Sequence, residues 1–296
     1  MRGSRTHLPR SSRGITDLKS VPKDGFRHAL LIDFLNDKQT QGLSPNTIRF
    51  YKVYLTRFLS DLYKPVLELT KSDISTFMNS LTCSPGGKHA YFRSIRAFYK
   101  WAQSESLIVD IPRMESPKVP KPLRVAVKLE DVKTLLDAAQ NCRDKLIVSL
   151  LADTGLRRSE ACSVKWKDID QENDTIRVWG KGAKQRVVRY GPITRSILDQ
   201  WRNESKPEVD GPLFGLKSTG LQHVLRSLEK RTGIRCNAHA FRRTFASESI
   251  RNGLNIFYVQ SLLGHSSLAM TRIYAEQVGS EDAIKAYTPI VSWVPD

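Results

Sequence analysis

Long apolar runs are missing from this 296-residue sequence. That argues against a membrane-spanning helix, which needs about 18 or more consecutive apolar residues. The N-terminal stretch MRGSRTHLPRSSRGITDLKSVPKDG lacks the apolar centre of a secretory signal, so the expected location is the cytoplasm. Cysteine is scarce. Cys83, Cys142, Cys162 and Cys236 stand alone with no CxxC-type spacing, which argues against a zinc ribbon or a disulfide framework and leaves four small thiols. No cluster of acidic residues reads as a two-metal nuclease site, and no GxxxxGKS-type loop is present to cradle a nucleotide. Acidic residues are themselves few. Asp and Glu number 30 against 47 Lys and Arg, a formal charge of +17. Such a surplus attracts polyanions, and nucleic acid is a better match than an anionic membrane.

What is present suits a soluble globular protein of two domains, each long enough to bury its own core. Residues 1–25 carry six Lys or Arg against two Asp and read as a mobile basic tail. From Phe26 to Ser106 the spacing is helical. Leu30, Leu31 and Phe34 lie on one side of the first segment. In SPNTIRFYKVYLTRFLSDL, Ser44 is suited to cap a helix that starts at Pro45, and Ile48, Tyr51, Leu55, Phe58 and Leu59 recur at helical intervals. LTKSDISTFMNSL reads as another capped helix. The stretch SPGG, Ser84 to Gly87, reads as a turn ahead of KHAYFRSIRAFYKWAQS. There Arg93, Arg96 and Lys100 share one face and Phe92, Ile95 and Phe98 lie largely on another. That layout suits a helix laid along a DNA groove and would also serve as a solvated face; the overall charge favours DNA contact.

Residues 107–125 hold four prolines and few periodic apolar positions, the mark of an extended linker. A second domain over 126–296 opens with helices. Val132, Leu135 and Leu136 share one side, and KLIVSLLADTG reads as a buried helix stopped by Gly155. DTIRVWGKGAKQRVVRYG alternates around a Gly-Lys-Gly turn, which predicts a β-hairpin. The rest is helical again. The expected class is mainly α, with a small antiparallel β-sheet in the C-terminal domain.

Four motifs carry candidate chemistry. TGLRRSE sets Arg157 and Arg158 just past a helix stop, with Glu160 nearby. GKGAKQR puts Lys181, with Lys184 close by, in a turn. HAFRRTFAS spaces His239 and Arg242 three apart, on one helical face, with Arg243 adjacent. LGHSSLAMTRIY places His265 after a helix stop and Tyr274 one short helix later. Each motif alone is compatible with ordinary structure: surface arginines, a turn lysine, a buried tyrosine. Together they supply what metal-free phosphoryl transfer requires. Arginines stabilise charge on phosphoryl oxygens, a histidine takes a tyrosine proton, a lysine protonates the leaving oxygen, and tyrosine is the covalent nucleophile.

The ordered set TGLRRSE, GKGAKQR, HAFRRTFAS and LGHSSLAMTRIY resembles the tyrosine recombinase family of phage integrases and Xer-like proteins, over about residues 26–290. SPNTIRFYKVYLTRFL resembles that family's helical, SAM-like core-binding domain. The resemblance implies a two-domain clamp on duplex DNA and no cofactor or metal. It implies Arg157 and Arg242 as phosphate clamps, Lys181 as the acid for the 5′ oxygen, His239 as an aid to deprotonation and His265 as a hydrogen-bond donor to the phosphate. Tyr274 would attack to leave a 3′-phosphotyrosyl link, with Glu160 in support. Within the two Arg pairs and the hairpin, the family pattern selects Arg157, Arg242 and Lys181. It further implies a homotetramer on two DNA sites, with the segment carrying Ile284, Tyr287, Ile290 and Trp293 packing on a neighbouring protomer or on its own domain. The rival functions are relaxation of DNA in the manner of a type IB topoisomerase and a non-catalytic DNA-binding regulator.

Overall fold

The computed structural model describes residues 23–120, 126–180, 185–265 and 267–275. The chain divides into two compact units, residues 1–122 and 123–296.

Among the described residues the first unit has four α-helices: α1 (Lys23–Thr40), α2 (Pro45–Ser60), α3 (Lys71–Ser80) and α4 (Pro85–Ser104). Local chemistry sets their starts. The Ser44 hydroxyl accepts the Thr47 N–H at 3.3 Å, and Pro45 takes the first helical position, where its missing N–H costs nothing. Thr70 and Asp73 cap α3 reciprocally. The stretch Ser84–Gly87 differs from expectation. It is not a turn ahead of the helix, because Ser84 is the cap, accepting the Gly87 N–H at 3.2 Å, and Pro85, Gly86 and Gly87 form the first helical turn. Leu30, Phe34, Leu55, Phe58, Ile95, Phe98 and Tyr99 fill the core. Phe34 meets Phe98 and Trp101 edge-on, each at 5.7 Å, and the buried Tyr99 hydroxyl donates to the Val66 carbonyl at 2.7 Å. Arg93, Arg96 and Lys100 of α4 are exposed, opposite the buried Ile95 and Phe98. Leu107, Ile108, Ile111 and Met114 pack against this core, so the start of the proline-rich stretch is anchored to the first unit.

In the second unit α5 (Leu129–Asp137) precedes α6 (Cys142–Thr154), which packs against α5, against α8 (Pro192–Ser205) and against α10 (Ala238–Arg251). Helix α6 is covered on nearly all sides, which explains its almost unbroken run of Leu, Ile and Val. The short helix α7 (Arg158–Ser163) leads to an antiparallel sheet of β1 (Ile169–Asp170), β2 (Thr175–Trp179) and β3 (Gln185–Arg189) in that order. Ile176 pairs with Val188 in register and both face inward. The expected hairpin is thus the β2–β3 pair. Its tip, residues 181–184 with Lys181 and Lys184, lies outside the described residues. Helices α9 (Ser218–Thr232), α11 (Ile256–Leu263) and α12 (Leu268–Ala275) are the unit's other described α-helices.

Gly155 sets the approach of three helices. Its φ of +58° ends α6 in the left-handed conformation, and a Cβ there would lie 2.8 Å from Phe245 of α10 and 2.9 Å from Leu263 of α11. Only glycine fits both the backbone and the contact.

Candidate active site

The site grows from two helix ends. Past Gly155 the chain reaches Arg157, which precedes α7, and the Arg157 N–H is held by Glu160 Oε2 at 2.8 Å. The same carboxylate gathers two guanidinium groups. Arg157 Nη1 donates to Oε1 at 2.7 Å, while Arg186 donates from Nη1 to Oε1 at 3.0 Å and from Nη2 to Oε2 at 2.7 Å. Burial pushes the Glu160 carboxyl upward, but the hydrogen bonds and charges of Arg186 and Arg157 outweigh it and hold the group at about 2. Glu160 is therefore a fixed negative charge at neutral pH.

The second end is the last turn of α11, which stops at Gly264 with φ +62°. A helix terminus leaves its final carbonyls unpaired and carries partial negative charge. Here three arginines answer it. Arg186 Nε donates to Leu262 O at 2.7 Å, Arg242 Nη2 to Leu263 O at 2.5 Å and Arg157 Nη2 to Gly264 O at 3.1 Å. Arg242 Nη1 also donates to Gly155 O at 2.8 Å, so one side chain ties the end of α6 to the end of α11. Burial, and then the neighbouring Arg157, pull Arg242 down to about 10, which still leaves it charged at neutral pH. Three guanidinium charges face one carboxylate, so the cluster is net positive and suited to an oxyanion.

His265 follows Gly264 and is buried, with Nδ1 2.8 Å from the Thr271 hydroxyl. Burial leads the downward pull on its imidazole, and Arg242, Arg157 and Arg186 add to it, bringing it to about 4. The ring is neutral at pH 7. It stacks on Tyr274 of α12, with centroids 6.0 Å apart and planes 21° from parallel. Tyr274 is partly buried against Ala246, Val259 and Leu263. The Ser267 hydroxyl accepts the Ala269 N–H at 3.3 Å at the start of α12.

Arg157, Glu160, Arg242, His265 and Tyr274 thus meet at one place. His239, at the start of α10, is exposed, whereas Arg242 one turn on is buried. Its imidazole is pulled below its ordinary value by partial desolvation, which its open surface moderates, and then by Arg242, Arg243, Arg157 and Arg158. Arg158 is held by Gln222 of α9 at 2.5 Å, which sets it apart from the Glu160 cluster that holds Arg157. Lys181 lies outside the described residues.

Two residues of the site were not singled out from sequence. Arg186 had a legible signal. Alternation along β3 puts it on the same face as the buried Val188, where an arginine demands a partner. Thr271 had none, because its role depends on how a short helix folds back on His265.

Residues 126–280 match the phage integrase family model, and residues 30–108 match that of the phage integrase N-terminal SAM-like domain. The tyrosine recombinase XerA of Saccharolobus solfataricus is 34% identical over 281 residues, covering 88% of this chain and 92% of the relative. The tyrosine recombinase XerD of Listeria monocytogenes is 28% identical over 297 residues, covering 90% and 98%. Among solved structures, a lambda integrase fragment bound to DNA has a TM-score of 0.68 at 17% identity, over 82% of this chain and 93% of that one, a likeness of fold.

Proposed function

The chain belongs to the phage integrase family of tyrosine recombinases, and on that premise we propose that it cuts and rejoins duplex DNA through a 3′-phosphotyrosyl intermediate. The observation that carries this reading is the stack of His265 on Tyr274 beside three arginines gathered at the end of α11. In the forward step Tyr274 Oη gives its proton to His239 and bonds to the scissile phosphorus. The bond from phosphorus to the 5′ oxygen breaks, and that oxygen takes a proton from Lys181. Arg157 and Arg242 hold the non-bridging oxygens as charge builds there, and His265 donates a hydrogen bond to one of them. Glu160 and Arg186 keep the arginines aimed. In the return step a 5′ hydroxyl of the partner strand displaces Tyr274. The phosphodiester energy is retained in the tyrosyl ester, so the reaction requires no nucleotide and no metal.

Recombination joins two duplex sites, and a homotetramer exchanging strands in pairs through a Holliday junction meets that need. The segment with Ile284, Tyr287, Ile290 and Trp293, outside the described residues, is the proposed link to a neighbouring protomer. Among the described residues no helix is long and apolar enough to cross a membrane; the proposed place of action is the cytoplasm, where the DNA is. The reaction serves resolution of dimeric circles or integration and excision of a mobile element. Plasmids carrying two sites, compared with pairs carrying one each, separate these.

The test is covalent trapping. The protein is mixed with nicked duplexes, including DNA flanking its own gene, without metal or ATP, then denatured in SDS. An adduct on Tyr274 bearing a 3′ phosphate, lost in Tyr274→Phe with DNA binding kept, is the expected result. Tight binding with no adduct on any duplex favours a non-catalytic regulator, and relaxation of any supercoiled plasmid without sites favours a topoisomerase.

A further inference from the structure

His265 can donate a hydrogen bond to a phosphate only if the right ring nitrogen carries the proton. A neutral imidazole has one N–H and one bare nitrogen, and the partner of one nitrogen fixes the state of the other. The Nδ1 nitrogen lies 2.8 Å from Thr271 Oγ1, and neither side chain is open to solvent.

Two arrangements satisfy that distance. If Nδ1 carried the proton, it would donate to Oγ1, and the Thr271 hydroxyl hydrogen would need its own acceptor. Among the described residues, this hydroxyl makes no other hydrogen bond. A buried O–H would then be left unpaired, and Nε2 would face a phosphate with a lone pair, anion against lone pair. If instead the Thr271 hydroxyl donates to Nδ1, its hydrogen is satisfied and Nε2 carries the proton. Both requirements select the second arrangement.

We propose that Thr271 is a positioning residue that holds His265 in the Nε2–H tautomer and so aims its one N–H at the scissile phosphate. Thr271 lies on α12 with Tyr274, one turn before it. The same hydrogen bond therefore ties the helix that carries the nucleophile to the histidine on which the nucleophile stacks. Seating α12 and preparing His265 become one event. The catalytic consequence rests on the proposed role of His265; the tautomer itself does not.

Two measurements on the full chain test this. The first is the nitrogen-15 spectrum of histidine-labelled protein without DNA, with His265→Asn used to assign the signal. The Nε2–H pattern is expected in wild type and in Thr271→Ser, and its loss in Thr271→Val. An Nδ1–H pattern in wild type overturns the proposal. The second is the rate of adduct formation at Tyr274. Thr271→Val should slow it at least about 10-fold, as loss of a histidine-orienting partner does elsewhere, with DNA affinity unchanged and Thr271→Ser restoring most of the rate. Wild-type rate in Thr271→Val, or a serine variant as slow as the valine one, overturns it. If wild type forms no adduct on any duplex, the recombinase reading fails, and the spectrum still decides the tautomer.

Discussion

Arg186 and Glu160 lie side by side as a two-pronged ion pair, Nη1 on Oε1 at 3.0 Å and Nη2 on Oε2 at 2.7 Å. Their side chains retain only 11% and 5% of their exposure. Because Arg186 continues to the Leu262 carbonyl and Glu160 also holds Arg157, this pair is where β3, α7 and α11 agree on the shape of the site. Removing one partner of a buried pair strands the other. We expect Arg186→Met to lower unfolding free energy by about 3 kcal/mol, with a large loss of adduct formation. Urea unfolding of the full chain measures the first. Adding Glu160→Gln should recover part of the stability but none of the activity. A single-variant loss below about 0.5 kcal/mol would mean that the pair carries no structural weight.

Two groups of the site titrate in separate windows. Below its ordinary value of 6.5, His265 in the unfolded chain takes a proton that the folded chain refuses until about 4. Stability should therefore fall as pH drops from 6.5 to 4, by at most about 3 kcal/mol at 1.36 kcal/mol per unit. Glu160 has the same sense in a more acid window. It is held at about 2 against 4.5, so its stabilisation is complete above 4.5 and lost as pH falls through 2. Unfolding of DNA-free protein between pH 7 and 4 should show a slope that His265→Asn flattens. An unchanged slope in that variant would place the titration elsewhere.

Much of this was legible in the chain because the deciding forces were local. Ser44 and Pro45 announce the start of α2, and Gly155 and Gly264 announce the stops of α6 and α11, since caps and left-handed glycines act within a few residues. Arg157, Arg242, His265 and Tyr274 stand out through the order of their motifs. Ser84–Gly87 reads as a turn because proline and two glycines signal one, yet a serine cap and a first-turn proline suit a helix start equally well. What could not be read was tertiary. That three arginines would each find a carbonyl of the same helix end depends on the packing of α6, β3, α10 and α11. Arg186 and Thr271 acquire their roles only there.

Gly155→Ala tests that packing. A methyl group would meet Phe245 at 2.8 Å and Leu263 at 2.9 Å, in a backbone conformation at φ +58° that alanine disfavours. The left-handed conformation alone costs about 1–2 kcal/mol, and displacing packed side chains adds about 1–3 kcal/mol. The expected loss is therefore at least about 2 kcal/mol in urea unfolding. Since Gly155 O accepts from Arg242, adduct formation should fall as well. A variant as stable as wild type would show that α10 and α11 can back away freely, and that the close approach is not what aims Arg242.

Helix α4 is the proposed DNA-contacting face of the first unit. Arg93, Arg96 and Lys100 are exposed on one face, with the Arg93 guanidinium 5.5 Å from the centre of the Phe50 ring. A cation that touches a phosphate releases a condensed counterion, so each lost contact should reduce the slope of log K against log salt by about 0.9. Replacing all three by glutamine should reduce the slope by about 3 and weaken binding on every sequence alike, because phosphate contacts carry no base information. Stability should change little, apart from the cation–π contact of Arg93, worth about 0.5–1 kcal/mol at an exposed site. A contact to a base edge would behave differently, relaxing sequence preference at one position. If the salt slope is unchanged in the triple variant, this stripe is a solvated face and not a DNA contact.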